Sequence, residues 1–290
     1  MSPRRIATAF ALLLSAHVCE PGTAVASPTF RPESVRSHTD ATDITIDTGF
    51  RVARDGFSFT NWAGIDAKDA MSSKHMVQLL SKAGQCTTNI VEPYCILRGG
   101  TVVTLAHINE HLAAGRCEGM AILAARLFRR STKLVHLSRT ADMTAALTRV
   151  EAADEIAYWW ATQLAPNVQR YSVSKRTVRP GDLATEMTKR MRNKVMLTIG
   201  LYSGDIAHTV LPVKARIVSG RTYFTVYDPN FPGTTRTLVI NRYNDTWSYD
   251  RMLTSAGTLV NLRGKGAGGL DFVPVSVRSH LSEWEMLGGF

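Results

Sequence analysis

The chain has 290 residues, of which 44% are hydrophobic and 20% charged, and its formal net charge is +10. This composition excludes a disordered or collagen-like chain, and the length is sufficient for one large domain with a sizeable core. The Lys and Arg residues are dispersed and no nucleic-acid motif accompanies them, so we expect no nucleic-acid partner and a basic surface compatible with association with an anionic cell surface.

Residues 1–26 have the pattern of a secretory signal peptide. Arg4 and Arg5 form a basic start, an apolar run follows over residues 6–18, and Ala-Val-Ala at 24–26 is a small-residue cleavage site. The apolar run is too short to span a bilayer. We therefore expect a secreted, extracellular protein with no integral membrane segment in the mature chain.

Composition divides the rest of the chain into three parts. Residues 27–48 are polar and contain Pro28 and Pro32, which predicts a flexible leader. The predicted catalytic domain covers residues 49–262, and residues 263–290 are predicted to be a C-terminal extension.

Cysteine usage singles out one thiol. Removal of the signal peptide, which contains Cys19, would leave Cys86, Cys95 and Cys117. An odd number of cysteines in an oxidising compartment leaves a free thiol or an intermolecular bridge. Cys86 and Cys95 are close in sequence and could form a disulfide, which would leave Cys117 as the thiol.

The periodicity changes from helical to strand-like along the chain. Apolar spacing predicts helices over 69–82, 102–114, 119–130, 140–164 in one or two pieces, and 182–193, the last with Asp182 as its N-cap. Segments rich in Val, Ile, Thr and Tyr predict strands over 194–202, 209–218 and 222–227, and Ser219-Gly220 forms a turn between the last two. A helical first half followed by an antiparallel sheet is an α+β arrangement.

Cys117 lies where the chain is predicted to enter a helix. It is preceded by Gly115-Arg116 and followed by Glu118-Gly119 and an apolar helical run. The unpaired N–H groups and the macrodipole of a first helical turn favour a thiolate over a thiol. A buried core cysteine is the alternative interpretation.

His208 and Asp228 are predicted to be neighbours. His208 enters one strand of the predicted hairpin and Asp228 follows the other, and these two ends of a hairpin lie side by side. A carboxylate there can accept from one imidazole nitrogen and leave the other for a thiol. The alternatives are a structural histidine bonded to a backbone carbonyl and an aspartate in an ordinary turn.

Together, Cys117 at a helix start, the His208 strand and Tyr227-Asp228-Pro229 resemble the papain-like cysteine peptidase superfamily, especially its secreted bacterial, peptidase-C39-like branches. The resemblance covers roughly residues 57–240 and implies a papain-like fold. It also implies that Cys117 is the nucleophile, His208 the general base and Asp228 the orienting acid, with Asn230 as an alternative orienter.

The oxyanion-hole residue departs from the family pattern. The family's glutamine lies six residues before the cysteine, where this chain has His111. Asn61, on an aromatic segment upstream, is the replacement candidate, because a side-chain amide could join the Cys117 N–H in holding an oxyanion. A capping role for Asn61 is the other interpretation.

A competing motif predicts a zinc site. His107, Glu110 and His111 match a His-x-x-Glu-His pattern, which on a helix places two imidazoles one turn apart beside a glutamate. Zinc would need a third ligand, for which the nominal candidates are Glu151, Glu155 and Glu186. An ordinary amphipathic helix explains the same residues.

These features predict a secreted thiol hydrolase of peptide or amide bonds that uses a Cys-His-Asp triad. No flavin, nicotinamide or haem signature is visible in the sequence, so we expect no cofactor. Three alternatives remain open: a transamidase on the same triad, a catalytically inert binding module on this fold, and the zinc peptidase.

Overall fold

The computed structural model describes residues 43–66, 68–80, 86–87, 96–254 and 257–279. The predicted signal peptide lies outside these ranges. So does Cys95, and its predicted disulfide with Cys86 therefore stays a prediction.

The described residues form seven α-helices, five of which lie between residues 99 and 192. They are α1 (Val52–Asp55), α2 (Ser73–Leu80), α3 (Gly99–Leu112), α4 (Cys117–Phe128), α5 (Arg149–Ala161), α6 (Pro166–Arg176) and α7 (Pro180–Arg192). Four 3-10 segments cover Leu134–His136, Thr144–Ala146, Thr162–Leu164 and Val275–Ser279.

Eight strands form one antiparallel sheet. They are β1 (Ile44–Asp47), β2 (Leu197–Ser203), β3 (Ile206–Val218), β4 (Arg221–Tyr227), β5 (Thr235–Asn241), β6 (Thr246–Leu253), β7 (Leu259–Lys265) and β8 (Leu270–Pro274). Their order is β7-β6-β5-β4-β3-β2-β8, and β1 pairs with the far end of β3. No helix within the described ranges has the length and apolar character needed to cross a membrane.

The predicted α+β class is confirmed, with helices first and the sheet after them. Ser219 and Gly220 form the predicted turn between β3 and β4, with φ angles of 44° and 70°, as two-residue hairpin loops of type I′ require. Asp182 is not an N-cap as predicted: α7 begins at Pro180, and the Asp182 side chain accepts a hydrogen bond from Arg179.

The sheet extends beyond both predicted boundaries of the catalytic domain. The predicted leader 27–48 contains β1, which pairs with residues Lys214 to Ile217 of β3. The predicted extension 263–290 contains the end of β7 and all of β8, which pairs with β2. Asp271 and Pro274 interrupt the apolar pattern of β8 and conceal it in the sequence, although every residue of that strand is buried.

The position of α4 depends on Gly119. A Cβ at this residue would lie 2.1 Å from the Ile156 carbonyl oxygen of α5, so only glycine permits this approach of the two helices. On its other side α4 packs against β3, in a core that includes Met120, Leu211 and Val213. The first turn of α4, and with it Cys117, is therefore held between α5 and the sheet.

Candidate active site

His208 and Asp228 are bonded to each other, as the hairpin predicts. Residues Leu211 and Tyr227 are directly opposite in the β3–β4 register, which places the beginning of β3 beside the residue that follows β4. His208 Nε2 and Asp228 Oδ1 are 2.8 Å apart, and both side chains are buried. One nitrogen of the imidazole is therefore fixed by a carboxylate.

Asp228 accepts hydrogen bonds from two further donors in addition to its contact with His208. Its Oδ1 accepts a hydrogen bond from the Asn230 N–H at 2.8 Å, and its Oδ2 accepts one from the Tyr249 hydroxyl of β6. Burial raises the pKa of Asp228, but the charge of His208 and these hydrogen bonds outweigh it and hold the pKa below its ordinary value. Asp228 therefore remains a carboxylate inside the protein.

Cys117 is the first residue of α4 and carries a reduced thiol that is 5% exposed. Its side chain is hydrogen-bonded to His208. Because His208 Nε2 contacts Asp228, Nδ1 is the ring nitrogen that remains for the thiol. Burial lowers the pKa of His208, but the Asp228 charge, the Asp228 hydrogen bond and the Cys117 contact together raise it to about 10. This arrangement favours an imidazolium beside Cys117.

Asn61 connects the segment that contains Cys117 with the segment that contains Asp228. Its Oδ1 accepts a hydrogen bond from the Arg116 N–H at 2.7 Å, and its Nδ2 donates to Asn230 Oδ1 at 3.0 Å. Its own N–H donates to the Pro229 carbonyl at 2.8 Å. Asn61 thus connects the residue before Cys117 with the turn after Asp228, and its predicted oxyanion role remains a prediction.

The side chain of Asn230 does not contact the imidazole of His208, which it would orient in the alternative to Asp228. Its side chain accepts from Asn61 and donates through Nδ2 to the Leu253 carbonyl at 2.7 Å. The imidazole of His208 is bonded to Asp228 instead. The role of Asn230 is therefore to fix Asn61 and the turn.

Arg116 is a site residue that the sequence analysis missed. Its fully buried guanidinium pairs with Asp69 Oδ1 at 3.0 Å, donates to the Trp62 carbonyl at 3.0 Å and lies 4.5 Å from the centre of the Trp62 ring. Trp62 Nε1 also donates to Asp69, at 2.8 Å. These contacts anchor the backbone that leads into Cys117. The sequence contains no local signal for them, because an arginine before a helix is usually solvated.

Two cavities adjoin His208, and both are also lined by Ala207. The larger cavity has a volume of about 170 Å³, and His208 is its only lining residue with an acidic or basic side chain within the described part of the chain. Its other lining residues include Asn61, Trp62, Ile206, Asn230 and Met252. The smaller has a volume of about 20 Å³ and is lined by His111, Cys117, Glu118, Gln163, Tyr202 and Thr209 among others. Room of that size accommodates about one water molecule.

The two oxyanion candidates line different cavities beside His208. Asn61 lines the larger cavity, whereas His111, at the end of α3, lines the smaller one together with Cys117. His111 thus brings an imidazole, where the resemblance implies an amide, to the cavity that Cys117 lines.

The contacts around the His107-Glu110-His111 motif do not favour zinc. His107 Nδ1 lies 3.5 Å from Glu110 Oε2, and within the described ranges no group of three or more His, Cys, Asp or Glu side chains could hold a metal ion. The three nominal third ligands have other partners: Glu151 forms a capping box with Thr148, Glu155 accepts from Trp159, and Glu186 pairs with Lys175 and Arg190.

We compared the chain with protein-family models, with curated proteins and with solved structures, and none of these comparisons produced a match.

Proposed function

We propose that this protein is a cysteine-dependent hydrolase of peptide or amide bonds with a papain-like arrangement of Cys117, His208 and Asp228. The observation that carries the proposal is the position of His208, which is hydrogen-bonded to Asp228 through Nε2 and to the Cys117 side chain. A nucleophile, a base in contact with it and a third group that orients the base are the elements of nucleophilic catalysis.

The first half of the reaction is acylation. The Cys117 thiolate attacks the carbonyl carbon of the scissile amide, a carbon–sulfur bond forms, and the carbonyl electron pair moves to the oxygen. The His208 imidazolium then gives its proton to the amide nitrogen, the carbon–nitrogen bond breaks, and the amine leaves. Asp228 stabilises the imidazolium and fixes the ring orientation throughout.

The second half is hydrolysis of the thioester. The now neutral His208 takes a proton from a water molecule, whose oxygen attacks the thioester carbon. The carbon–sulfur bond then breaks, and this releases a carboxylic acid and the Cys117 thiolate beside a protonated His208. The two half-reactions together consume one water and one amide bond, and they need no cofactor.

The oxyanion that forms in each half-reaction needs hydrogen-bond donors to stabilise it. The Cys117 backbone N–H is one, because it lies in the first turn of α4, whose positive end stabilises negative charge. The second nitrogen-bound hydrogen of the Asn61 amide is the other donor we propose, because its first is used by Asn230.

The setting of this activity is proposed from the sequence. The signal-peptide pattern over residues 1–26 supports secretion. The net charge of +10 supports association with an anionic cell surface, where local substrate would be concentrated.

The proposal is tested with a pool of synthetic peptides of mixed sequence, analysed by mass spectrometry after incubation with the full-length protein. We expect cleavage that is abolished in Cys117→Ala and His208→Ala and unchanged in Thr188→Val. Thr188 is a matched control because it is a buried threonine of α7 whose hydroxyl donates within its own helix. Cleavage that persists in Cys117→Ala would contradict the proposal.

Two additions to the same assay separate the alternatives. An added primary amine would be incorporated into the products by a transamidase, whereas a hydrolase releases free acids. A chelator should leave cleavage and the alkylation of Cys117 by iodoacetamide unchanged, because the proposed steps use no metal. Loss of cleavage with the chelator and its recovery with zinc would favour the zinc peptidase instead.

A further inference from the structure

Glu118, the residue that follows Cys117, is buried although it is acidic, with 9% exposure. Its Oε2 accepts a hydrogen bond at 2.5 Å from the hydroxyl of Thr209, the residue that follows His208. The neighbours of the proposed nucleophile and base are therefore bonded to each other between α4 and β3. This bond limits how far the thiol and the imidazole can separate.

The other carboxylate oxygen of Glu118 pairs with Arg278. Arg278 lies in the 3-10 segment Val275–Ser279 and is 1% exposed. Its remaining contacts are long, at 3.4 Å to the hydroxyls of Thr162 and Thr198, and its Nε has no hydrogen-bond partner within the described part of the chain. Glu118 is therefore the group that compensates the buried charge of Arg278.

Stability alone gives little reason to keep this ion pair. Removing two charges from water costs several kcal/mol per ion, and well-packed apolar residues in their place are often equally or more stabilising. The pair matters more for the thiol. An uncompensated carboxylate next to Cys117 would disfavour the thiolate, whereas the pairing with Arg278 compensates the charge of that carboxylate.

We infer that Glu118, Thr209 and Arg278 form a positioning network for the proposed reaction. Glu118 and Thr209 hold Cys117 and His208 together, and Arg278 cancels the charge of Glu118 so that the thiolate persists at neutral pH. None of the three residues acts on the substrate. The inference rests on the proposed function, because it concerns the reactivity of the same thiol.

Other titratable groups also surround the thiol. Besides Glu118, the smaller cavity brings His208 of β3, His111 of α3 and Tyr202 of β2 to the side of Cys117. Asp228 acts through His208, and the charge of Arg116 is paired with Asp69. A substitution at Arg278 leaves all of these groups in place, so a changed pH dependence can be assigned to Glu118.

The charge part of the inference is tested by the rate of Cys117 alkylation by iodoacetamide between pH 5 and pH 10. We expect Arg278→Met to slow alkylation at pH 7 by about tenfold and to move the pH profile up by about one unit, the effect of a nearby like charge. Arg278→Lys keeps the charge and should lie closer to the wild type. The double variant Glu118→Gln/Arg278→Met, in which neither charge remains, should recover most of the rate.

Controls distinguish this effect from a general loss of structure. Arg190→Met removes an ion pair with Glu186 within α7 and should leave the profile unchanged. A partly unfolded variant would show altered circular dichroism and is excluded on that ground, because an exposed, ordinary cysteine is mostly a thiol at pH 7 and would also react slowly. A folded Arg278→Met protein with the wild-type profile would overturn the charge part of the inference.

The positioning part is tested without changing any charge, and it remains decisive if Arg278→Met does not fold. Thr209→Val removes the hydroxyl and should slow alkylation by between about tenfold and a hundredfold, the cost of a small misplacement. Thr209→Ser should restore the rate, and Thr188→Val is the matched control. Equal rates in Thr209→Val and the wild type would overturn this part.

The outcomes also separate this inference from the proposed function. If His208→Ala alkylates as fast as the wild type, the histidine does not activate the thiol and the proposed function fails. If His208→Ala is slow whereas Arg278→Met and Thr209→Val are not, only the positioning network is wrong.

Discussion

The histidine side and the cysteine side of the site are held together in different ways. His208 and Asp228 are 20 residues apart and belong to one hairpin, whose register brings them together. Cys117 is held by contacts of long sequence separation, including 55 residues from Asn61 to Arg116 and 160 from Glu118 to Arg278. Local strand pairing thus places the proposed base, whereas tertiary packing places the proposed nucleophile.

The largest effect is expected on the histidine side, from Asp228→Asn. The amide would stabilise the wrong imidazole tautomer and no imidazolium, so we expect peptide cleavage to fall by about 10³- to 10⁴-fold, as in other triads of this kind. Asp250→Asn is the matched control, because Asp250 is an exposed carboxylate of β6 that pairs with Arg263. Equal activity in Asp228→Asn and Asp250→Asn would show that the histidine side is not catalytic.

On the cysteine side, we expect Asn61→Ala to reduce cleavage by about 10²- to 10³-fold, the usual cost of one oxyanion donor. Asn61→Asp sharpens the result, since it keeps the acceptor for the Arg116 N–H and loses the amide donor. If Asn61→Asp is as active as the wild type, Asn61 only holds the loop before Cys117. Asn244→Ala, in an exposed turn, is the control.

The contribution of the His208–Asp228 pair to the free energy of unfolding can be measured from its pH dependence. The pKa of His208 is raised to about 10, above the ordinary value of about 6.5. Its contribution to stability is therefore complete below pH 6.5 and is lost as pH rises towards 10. To exclude the titration of the thiol, we compare Cys117→Ala with Cys117→Ala/His208→Gln by urea unfolding. Without the contributions of Cys117, Asp228 still raises the pKa of His208, but the window ends below pH 10. We expect only the first to lose free energy of unfolding across this window, on the order of 1 kcal/mol per pH unit.

The smallest effect is expected from Tyr249→Phe. The substitution removes one hydrogen bond to Asp228 and leaves the bonds from His208 and the Asn230 N–H in place. We expect the free energy of unfolding to fall by about 1 to 2 kcal/mol and cleavage to fall less than in Asn61→Ala. An effect on cleavage as large as that of Asp228→Asn would mean that the histidine side depends on Tyr249 for more than stability.

The difference between local pairing and long-range packing also explains which features of the structure can be predicted from the sequence. The Ser219-Gly220 turn fixes the register of the nearby part of the hairpin, and strand spacing therefore predicts that His208 and Asp228 are neighbours. The one-residue register shift between Pro212 and Lys214 has no signal in the sequence. The start of α4 at Cys117 also has a local signal, because an apolar helical run follows it. The sequence therefore predicts the α+β class and the separate parts of the site.

The remaining features have no local signal. β8 carries Asp271 and ends at Pro274, residues that usually mark loops, and the strand is recognisable only once β2 pairs with it. Arg116 and Arg278 are each buried with an anionic partner that is distant in sequence. Because the sequence does not reveal these partners, it predicts that both arginines are exposed. The orienting role of Asn230 is implied by the resemblance, and the Leu253 carbonyl that its side chain contacts has no signal in the sequence.

The position of Arg278 in the chain has a consequence for biosynthesis. A ribosome makes Cys117, His208 and Asp228 well before it makes β8 and the segment Val275–Ser279. Until that last part is available, β2 has an unpaired edge and Glu118 has a charge without its partner. We therefore expect nascent chains that end near residue 262 to contain every residue of the triad and still react slowly with a thiol reagent. Maturation of the thiol would then follow the synthesis of β8 and the segment Val275–Ser279.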